Sequence, residues 1–203
     1  SGVKWSGLYC KEEEEEDEDN LAIKQVVGGN GFSLALKSDG TVWAWGSNDY
    51  GQLGNGTTVN SVVPVKVKNL SNIIAIAAGS DHCLALSRNG TVWAWGANRH
   101  GQLGNGLFEE YGSTVPVQVL GPGGDGYLSG VKAIAAGYQY SMALMDDGTV
   151  WAWGDNWYGS LGIGKDYRDY GGPAVEVLPV RVVGPGGEGY LTGVAAIASS
   201  AQS

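Results

Sequence analysis

Two histidines and two cysteines are the residues of this sequence best suited to nucleophilic, acid–base or metal chemistry. No nucleophile motif or metal-ligand spacing surrounds His82 or His100. Cys10 lies beside an acidic run and Cys83 inside an apolar segment, a pattern that fits neither a disulfide framework nor a cysteine-based zinc site. The sequence therefore predicts a protein that is not an enzyme, with no catalytic residues, no metal site and no cofactor.

Two glycine strings are the only other candidates for ligand chemistry. GPGGDGY (121–127) and GPGGEGY (184–190) lack the lysine and the following helix of a phosphate-binding loop. We interpret them as connections between structural units. No small-molecule substrate is evident.

Charge is concentrated at one end of the chain. Residues 12–19 read EEEEEDED and hold eight of the 21 acidic residues, which leaves 13 acids against 12 bases elsewhere. A nearly neutral body without a basic stripe disfavours binding to nucleic acid or to an acidic membrane surface. We interpret residues 1–20 as an acidic, disordered N-terminal segment. Because SGVK at 1–4 repeats residues 129–132, a joined or incompletely read sequence is the alternative.

The rest of the chain is built from internal repeats. TVWAWG occurs at 41–46, 91–96 and 149–154, each time after an Asp-Gly or Asn-Gly pair. The glycines or serine that end the upstream apolar segments, at 29, 79, 137 and 200, are spaced by 50, 58 and 63 residues. The repeats predicted from this spacing cover about 21–72, 73–130 and 131–193, with a partial fourth at 194–203.

Each repeat is predicted to form four short β-strands. The apolar runs are short, rich in Val, Ile, Leu and Trp, and bounded by Gly, Asn, Asp or Pro, and the Asp-Gly and Asn-Gly pairs predict tight hairpins. Strand periodicity puts both tryptophans of TVWAWG on one face, where we expect them to pack against the small IAIAAG-type side chains of a neighbouring unit. The predicted structural core residues are Trp43, Trp45, Trp93, Trp95, Trp151, Trp153 and His82, the last because Phe32 and Tyr140 fill its position in the other repeats.

The unit AAGSDHCLALSRNGTVWAWGANRHGQLGNG resembles the repeat of the regulator of chromosome condensation (RCC1-like) family, and the resemblance covers about residues 21–203. It implies an all-β fold, a β-propeller of four-stranded blades, present as three repeats plus a partial fourth and so incomplete relative to a seven-bladed ring. Members mostly bind other proteins, and they include a nucleotide-exchange factor, a plant ultraviolet receptor and a secreted bacterial β-lactamase inhibitor. The TVWAWG sequence most resembles the corresponding segment of bacterial members. This spelling and the low cysteine content slightly favour an extracellular or cell-surface location, although the compartment stays open.

Strand parity predicts where a partner would bind. In antiparallel blades the first-to-second turns and third-to-fourth loops share one rim, and there the otherwise similar repeats differ most. Exposed aromatic and arginine side chains on rigid loops are typical of binding hot spots. The predicted partner-binding residues are Asp49, Tyr50, Asp81, Arg99, His100, Tyr138, Gln139, Trp157 and Tyr158.

The predicted function is a non-catalytic protein–protein interaction scaffold that uses this rim. The alternative is a self-assembling unit in which copies of the chain complete one another through open blade ends, with 194–203 as a joining strand. Guanine-nucleotide exchange on a small GTPase ranks below both, because no wedge-like insertion stands out. A light sensor is disfavoured because none of the arginines is expected beside a TVWAWG tryptophan.

Overall fold

The protein forms three four-stranded antiparallel sheets in a computed structural model that describes residues 22–165 and 174–199. Blade 1 contains β1 (Ile23–Gly28), β2 (Phe32–Lys37), β3 (Val42–Gly46) and β4 (Ser61–Lys66). Blade 2 contains β5 (Ile73–Ala78), β6 (His82–Ser87), β7 (Val92–Asn98) and β8 (Glu109–Gln118). Blade 3 contains β9 (Val131–Ala136), β10 (Tyr140–Met145), β11 (Val150–Asp155) and β12 (Val175–Arg181). Strands are ordered as in the sequence, so the predicted all-β propeller architecture is confirmed. Residues 1–20, the predicted acidic segment, lie outside the described residues.

The Asp-Gly and Asn-Gly pairs form the hairpins between the second and third strands of each blade. In the first hairpin Gly40 has φ 81°, a left-handed conformation that glycine adopts without strain. Asp39 Oδ1 accepts hydrogen bonds from the amide and the hydroxyl of Thr41, both at 2.8 Å. These local bonds pre-form the turn and set the register Leu36↔Val42.

The blades pack face to face, with the tryptophan face of one blade against the preceding blade. Trp95 and Cys83 of blade 2 share a buried cluster with Leu34, Leu36 and Ala44 of blade 1. Each buried indole therefore packs on the Leu–Ala face and the third-to-fourth loop of the preceding blade. The small side chains of the innermost strand join this packing, because Ala75 and Ala77 of β5 lie against the cluster that contains Trp153. The innermost strands also line the central opening.

Main-chain carbonyls link neighbouring blades. The carbonyl of Gln52, in blade 1, accepts Trp95 Nε1–H at 2.9 Å and lies 3.3 Å from Cys83 Sγ. The carbonyl of Gln102, in blade 2, accepts Trp153 Nε1–H at 2.9 Å and the Ser141 hydroxyl at 2.8 Å. The two interfaces thus share one geometry.

Only two of the six predicted core tryptophans are completely buried. Trp95 and Trp153 have 0% exposure, whereas Trp45, at the same position in blade 1, is half-buried because no blade packs on that face among the described residues. The first tryptophans of the repeated string, Trp43 and Trp151 among them, are also half-buried. Trp43, Trp45, Trp93 and Trp151 are thus partly buried, and Trp93 packs against the buried cluster that contains Trp95.

Residues 194–199 follow the path of an innermost strand beside blade 3. Val194 N–H donates to Gly148 O at 3.1 Å, as Val131 N–H donates to Gly90 O at 3.2 Å in the preceding unit. The Tyr140 hydroxyl lies 2.9 Å from Ser199 Oγ. The segment thus takes the place of the first strand of a fourth blade.

Candidate functional site

The first-to-second turns and the third-to-fourth loops lie on one rim of the propeller, which we call the loop rim. It comprises residues 29–31, 79–81 and 137–139 together with 47–60, 97–108 and the described part of 155–174. Backbone hydrogen bonds join turn and loop in every blade: Ser47 N to Gly31 O, Ala97 N to Asp81 O and Asp155 N to Gln139 O, at 2.8 to 2.9 Å. The opposite rim, which we call the hairpin rim, carries the Asp-Gly and Asn-Gly turns and the connections between blades.

Buried asparagines hold the third-to-fourth loops in shape. In blade 2, Asn98 is fully buried, accepts Leu103 N–H at 3.1 Å and donates to Leu107 O at 3.1 Å. Asn48 and Asn156 make the equivalent bonds in the other blades. The sequence analysis missed this role, although the asparagine recurs before each Gly-Gln-Leu-Gly or Gly-Ser-Leu-Gly string. Because each loop is braced from inside, its outer side chains are presented on a fixed backbone.

Polar and aromatic contacts connect the loops of neighbouring blades at the centre of the loop rim. The Arg99 guanidinium lies 5.7 Å from the centre of the Tyr50 ring of blade 1. Its Nε donates to Glu110 O at 3.0 Å, and its terminal nitrogen lies 3.5 Å from the Glu110 carboxylate. His100 Nδ1 lies 3.4 Å from Asp155 of blade 3. These contacts bring three sequence-predicted side chains (Tyr50, Arg99 and His100) and two others (Glu110 and Asp155) into one band that crosses the three blades.

The other predicted partner-binding residues are spread over the rim. Asp81, Tyr138 and Gln139 lie in the inner turns, next to the central opening, whereas Asp49, Trp157 and Tyr158 lie on the outer loops. Tyr158 is 72% exposed, Trp157 41% and Tyr138 39%. The arrangement is a broad surface and not a single pocket.

Blade 2 adds exposed side chains that the sequence analysis missed. Phe108 is 64% exposed and Tyr111 74%, and both follow the loop that Asn98 braces. The available signal was the inserted string LFEEYGST, which lengthens the second repeat relative to the first. Together with Tyr158, these rings make the loop rim and the adjoining start of β8 rich in exposed aromatic surface.

The two rims differ in charge. The described carboxylates of the loop rim outnumber its cations, Arg99 and Lys165. These carboxylates are Asp49, Asp81 and Asp155, and Glu109, Glu110 and Glu176 add to them at the adjoining starts of β8 and β12. On the hairpin rim the cations outnumber the carboxylates. These cations are Lys24, Lys37, Lys66, Lys68, Arg88, Lys132 and Arg181, against Asp39, Asp125, Asp146, Asp147 and Glu188. The near-neutral body is thus polarised.

His82 lies in the interface between blades 2 and 3. It is fully buried, its Nε2 lies 3.0 Å from Ser141 Oγ, and Nδ1 has no protein hydrogen-bond partner. Desolvation lowers the pKa of His82 to about 3, so the ring is neutral at physiological pH. A neutral, enclosed imidazole is a packing residue here.

Residues 22–165 and 174–199 contain neither a metal-binding cluster nor a membrane-spanning helix. Within these ranges no three His, Cys, Asp or Glu side chains are grouped so as to hold a metal ion. Across the same ranges, none of the helical segments has the length and apolar character needed to cross a bilayer.

Comparison with known families gives matches along the repeats. The model of the regulator of chromosome condensation (RCC1) repeat matches residues 39–86, 89–144 and 147–202. A second model of the same repeat matches 23–52, 73–102 and 131–160. The two models divide the repeat at different points, which is expected for units joined in tandem.

Curated relatives cover most of this chain but only part of their own length. The chain is 37% identical over 146 residues to the human E3 ubiquitin-protein ligase HERC2, a match of 71% of the chain and 3% of the relative. It is 36% identical over 150 residues to the ultraviolet-B receptor UVR8 of Arabidopsis thaliana, 74% of the chain and 33% of the relative. These relatives are eukaryotic, so the bacterial spelling of TVWAWG stays a prediction.

Solved structures show the same arrangement of blades. Prp20p from Saccharomyces cerevisiae, in a study of its binding to Gsp1p and histones, aligns with TM-score 0.68 and 29% identity over 81% of this chain and 39% of that one. Yeast RCC1 (Prp20) bound to Kap60 aligns with TM-score 0.72 and 27% identity over 89% of this chain and 40% of that one. The chain thus corresponds to less than half of these propellers.

Proposed function

Because this chain belongs to the regulator of chromosome condensation (RCC1) repeat family, we propose that it is a non-catalytic protein-binding module and that the loop rim contacts the partner. The observation that carries the proposal is the set of exposed aromatic side chains on loops braced by buried asparagines. Aromatic and arginine side chains on a rigid backbone lose little conformational entropy on binding, which is why they dominate hot spots.

The charge of the loop rim indicates the kind of partner. Its carboxylates outnumber its cations, and Arg99 is already engaged by Glu110 and Tyr50. Such a surface repels phosphates and attracts a protein surface with a basic excess. Supporting this choice, Prp20p has been studied for binding to histones, which are basic proteins, and to Gsp1p.

The test is the affinity of a triple variant for a defined panel of histone octamer, Gsp1p and Kap60. We expect the combined variant Arg99→Ala, Trp157→Ala and Tyr158→Ala to lower the affinity for whichever of these proteins binds the parent chain. The expected loss is at least tenfold, which is roughly the effect of truncating one hot-spot residue. The melting temperature should change little, because Arg99 and Glu110 are solvent-exposed and such a surface pair contributes little stability. Calorimetric titration and thermal unfolding give the two readouts.

A matched control comes from the hairpin rim. Arg88→Ala with Tyr127→Ala removes one exposed arginine and one ring that is 56% exposed, without touching the loop rim. Unchanged binding in the control and a tenfold loss in the triple variant support the proposal. Equal affinities in all three proteins contradict it.

Self-assembly is a second candidate because blade 1 has an uncovered face. The fourth strand of blades 2 and 3 accepts a backbone hydrogen bond from the third-to-fourth loop of the preceding blade. Gly56 N–H donates to Thr114 O at 2.9 Å, and Gly106 N–H donates to Val177 O at 3.0 Å. Val62 holds the same position in blade 1 and is 99% exposed. Blade 3 offers the complementary backbone donor at Gly164, so a second copy could extend the series.

The contact between copies has one steric requirement. Residues 194–199 already take the innermost position beyond blade 3, so β1 of the incoming copy would have to leave that position. Light scattering over a hundredfold range of concentration measures the outcome. A mass that rises with concentration favours assembly, and a constant monomer mass excludes it.

Guanine-nucleotide exchange on a small GTPase is the third candidate, ranked after protein binding and self-assembly. Its test is the release of fluorescent nucleotide from Gsp1p, a protein to which Prp20p binding has been studied. Acceleration of release would replace the scaffold proposal.

A further inference from the structure

A groove of about 720 Å³ opens on the hairpin rim between blades 2 and 3. One wall is Pro122 and Gly123, from the connection that leaves blade 2, and the other is Trp151, Arg181 and Tyr190 of blade 3. Arg181 is the one charged residue among the described lining residues. Neither the sequence analysis nor the loop rim accounts for this groove.

Arg181 is held against two aromatic rings. Its guanidinium carbon lies 5.1 Å from the centre of the Trp151 ring and 4.9 Å from that of Tyr190. This corrects the expectation that no arginine lies beside a TVWAWG tryptophan, because antiparallel pairing of β11 with β12 puts Arg181 opposite Trp151. Stacking engages the faces of a guanidinium and leaves its N–H edges available for hydrogen bonds.

Those N–H edges have no acceptor within the described ranges. The Arg181 side chain forms no ion pair or hydrogen bond with any residue in 22–165 or 174–199, although the pKa of the Asp147 carboxyl is lowered by its hydrogen bonds with Thr149 and also by the charge of Arg181. The acidic side chain of Asp147 is engaged locally, because its Oδ1 accepts the amide and the hydroxyl of Thr149 at 2.9 and 2.6 Å. The exposed guanidinium is therefore oriented but unpaired in this part of the chain.

Blade 2 has the same scaffold without the cation. Gln118 lies opposite Trp93, as Arg181 lies opposite Trp151. The bridge Leu120↔Tyr127 repeats Val183↔Tyr190. A glutamine at this position therefore supports the same strand pairing and the same turn, so the arginine is not needed to form the blade.

We propose that the groove binds an extended acidic segment of a partner protein. One Asp or Glu carboxylate accepts the N–H edges of Arg181, and flanking apolar or proline residues lie against Trp151, Tyr190 and Pro122. A fixed, planar guanidinium matches a carboxylate bidentately. A single cation between apolar walls suits one carboxylate with apolar neighbours, whereas a phosphorylated or nucleic-acid ligand would require several cations.

Apart from Ile163, the residues that line the groove lie outside the loop rim, and none of them is changed in the loop-rim variants, so the two proposals can fail independently. The probe is the capped peptide Ser-Pro-Phe-Glu-Pro-Ser, compared with its Gln counterpart by calorimetric titration of the full chain. We expect the Glu peptide to bind at least tenfold more tightly than the Gln peptide, and the difference to shrink between 50 and 500 mM salt, as for any partly exposed charge pair.

Variants assign the effect to Arg181. Arg181→Gln introduces the residue that blade 2 carries and should reduce affinity for the Glu peptide at least tenfold, to the level of the Gln peptide. Arg181→Lys keeps the charge but loses the planar fork, so its affinity should lie between the two. Arg88→Gln removes an arginine from the same rim, outside the groove, and should leave binding unchanged.

Four results would overturn the proposal. Three concern the peptides: equal binding of the Glu and Gln peptides, undiminished binding by Arg181→Gln, and the absence of binding at millimolar peptide. A gain in affinity when the acids of residues 12–19 are replaced by Gln and Asn would also overturn it, because the chain's own acidic run would then be the occupant. Melting temperatures verify that every variant is folded.

Discussion

The interface between blades 1 and 2 and the interface between blades 2 and 3 have the same backbone and different chemistry. In both, an indole N–H donates to the carbonyl of a glutamine in the preceding blade, at 2.9 Å. Beside that bond, the first interface has the Cys83 thiol, whereas the second has the Ser141 hydroxyl, which also contacts His82.

The difference shows what the repeat must keep and what it can change. The acceptor is a main-chain carbonyl in both cases, so its position depends on the fold of the loop and not on the glutamine side chain. Ser160 stands where Gln52 and Gln102 stand in the other blades, and it bonds its own loop through Asp155 O. Side chains around the carbonyl can therefore vary between apolar and polar without moving the blades.

The largest expected effect is the difference in stability lost when a tryptophan covered by a neighbouring blade and one without such cover are each replaced by alanine. Trp153→Ala should cost about 4 kcal/mol of unfolding free energy, because it removes a fully buried indole and its hydrogen bond. Trp45→Ala, at the same position of blade 1, should cost about 1 to 2 kcal/mol because that indole is only half-buried. Urea unfolding of the two variants measures the gap. Equal losses would mean that blade 1 is covered in solution, as self-assembly requires.

The next effect is a pH dependence confined to the second interface. Because the pKa of His82 falls to about 3 in the folded protein, from about 6.5 in an unfolded chain, the unfolded chain binds the proton first. The stability that neutral His82 contributes is therefore complete above pH 6.5 and is lost as the pH falls toward 3. At pH 5 the loss should be about 2 kcal/mol relative to pH 7.5.

His82→Phe tests this directly, since Phe32 fills the equivalent position in the first interface. Between pH 7.5 and pH 5 the unfolding free energy of the variant should fall by less than that of the parent protein. Both proteins have the same carboxylates, so subtracting one pH profile from the other leaves the contribution of His82. Parallel pH profiles would show that the imidazole reaches water while the protein remains folded.

The smallest effect exchanges the chemistry of the two interfaces. Cys83→Ser gives the first interface the hydroxyl of the second, and the new hydroxyl can still donate to Gln52 O. We expect a loss of about 1 kcal/mol, because the hydroxyl is more costly to bury than a thiol. Burial raises the pKa of the Cys83 thiol well above its usual value, so no thiolate is lost at neutral pH. Ser141→Cys is the reciprocal variant, and a loss above 3 kcal/mol in either would show that the shared carbonyl had moved.

Local patterns in the sequence were sufficient to predict the blades. Asp39-Gly40 and its counterparts mark the hairpins, and the period-two alternation in TVWAWG assigns the two faces of the strand. The position of both rims follows from strand parity alone, so the turn at Asp81 and the loop at Arg99 could be assigned to one side. The identity of the partner face remains a prediction.

Contacts between distant strands could not be predicted in the same way. Arg181 reaches Trp151 because of a register set across the long loop between β11 and β12, and that register includes an irregularity between Ala152 and Gly154. The unequal burial of Trp45 and Trp95 depends on whether a neighbour is present, although their local sequences are identical. Repetition predicts equivalent positions, but it does not predict which of them are covered.

The linking carbonyl has a consequence for how such chains grow. Because each joint uses a main-chain carbonyl, a blade does not need one particular neighbour. A tandem duplication of residues 73–130 would insert a unit whose backbone contacts match those of the units beside it, with Cys83 of one copy in the place of Ser141 beside His82 of the other. Genes for such arrays can lengthen by unequal crossing-over without a compensating substitution, while the exposed loops diverge afterwards. The same property makes blade 2 a building block for engineered arrays, with the loops free to be redesigned for chosen targets.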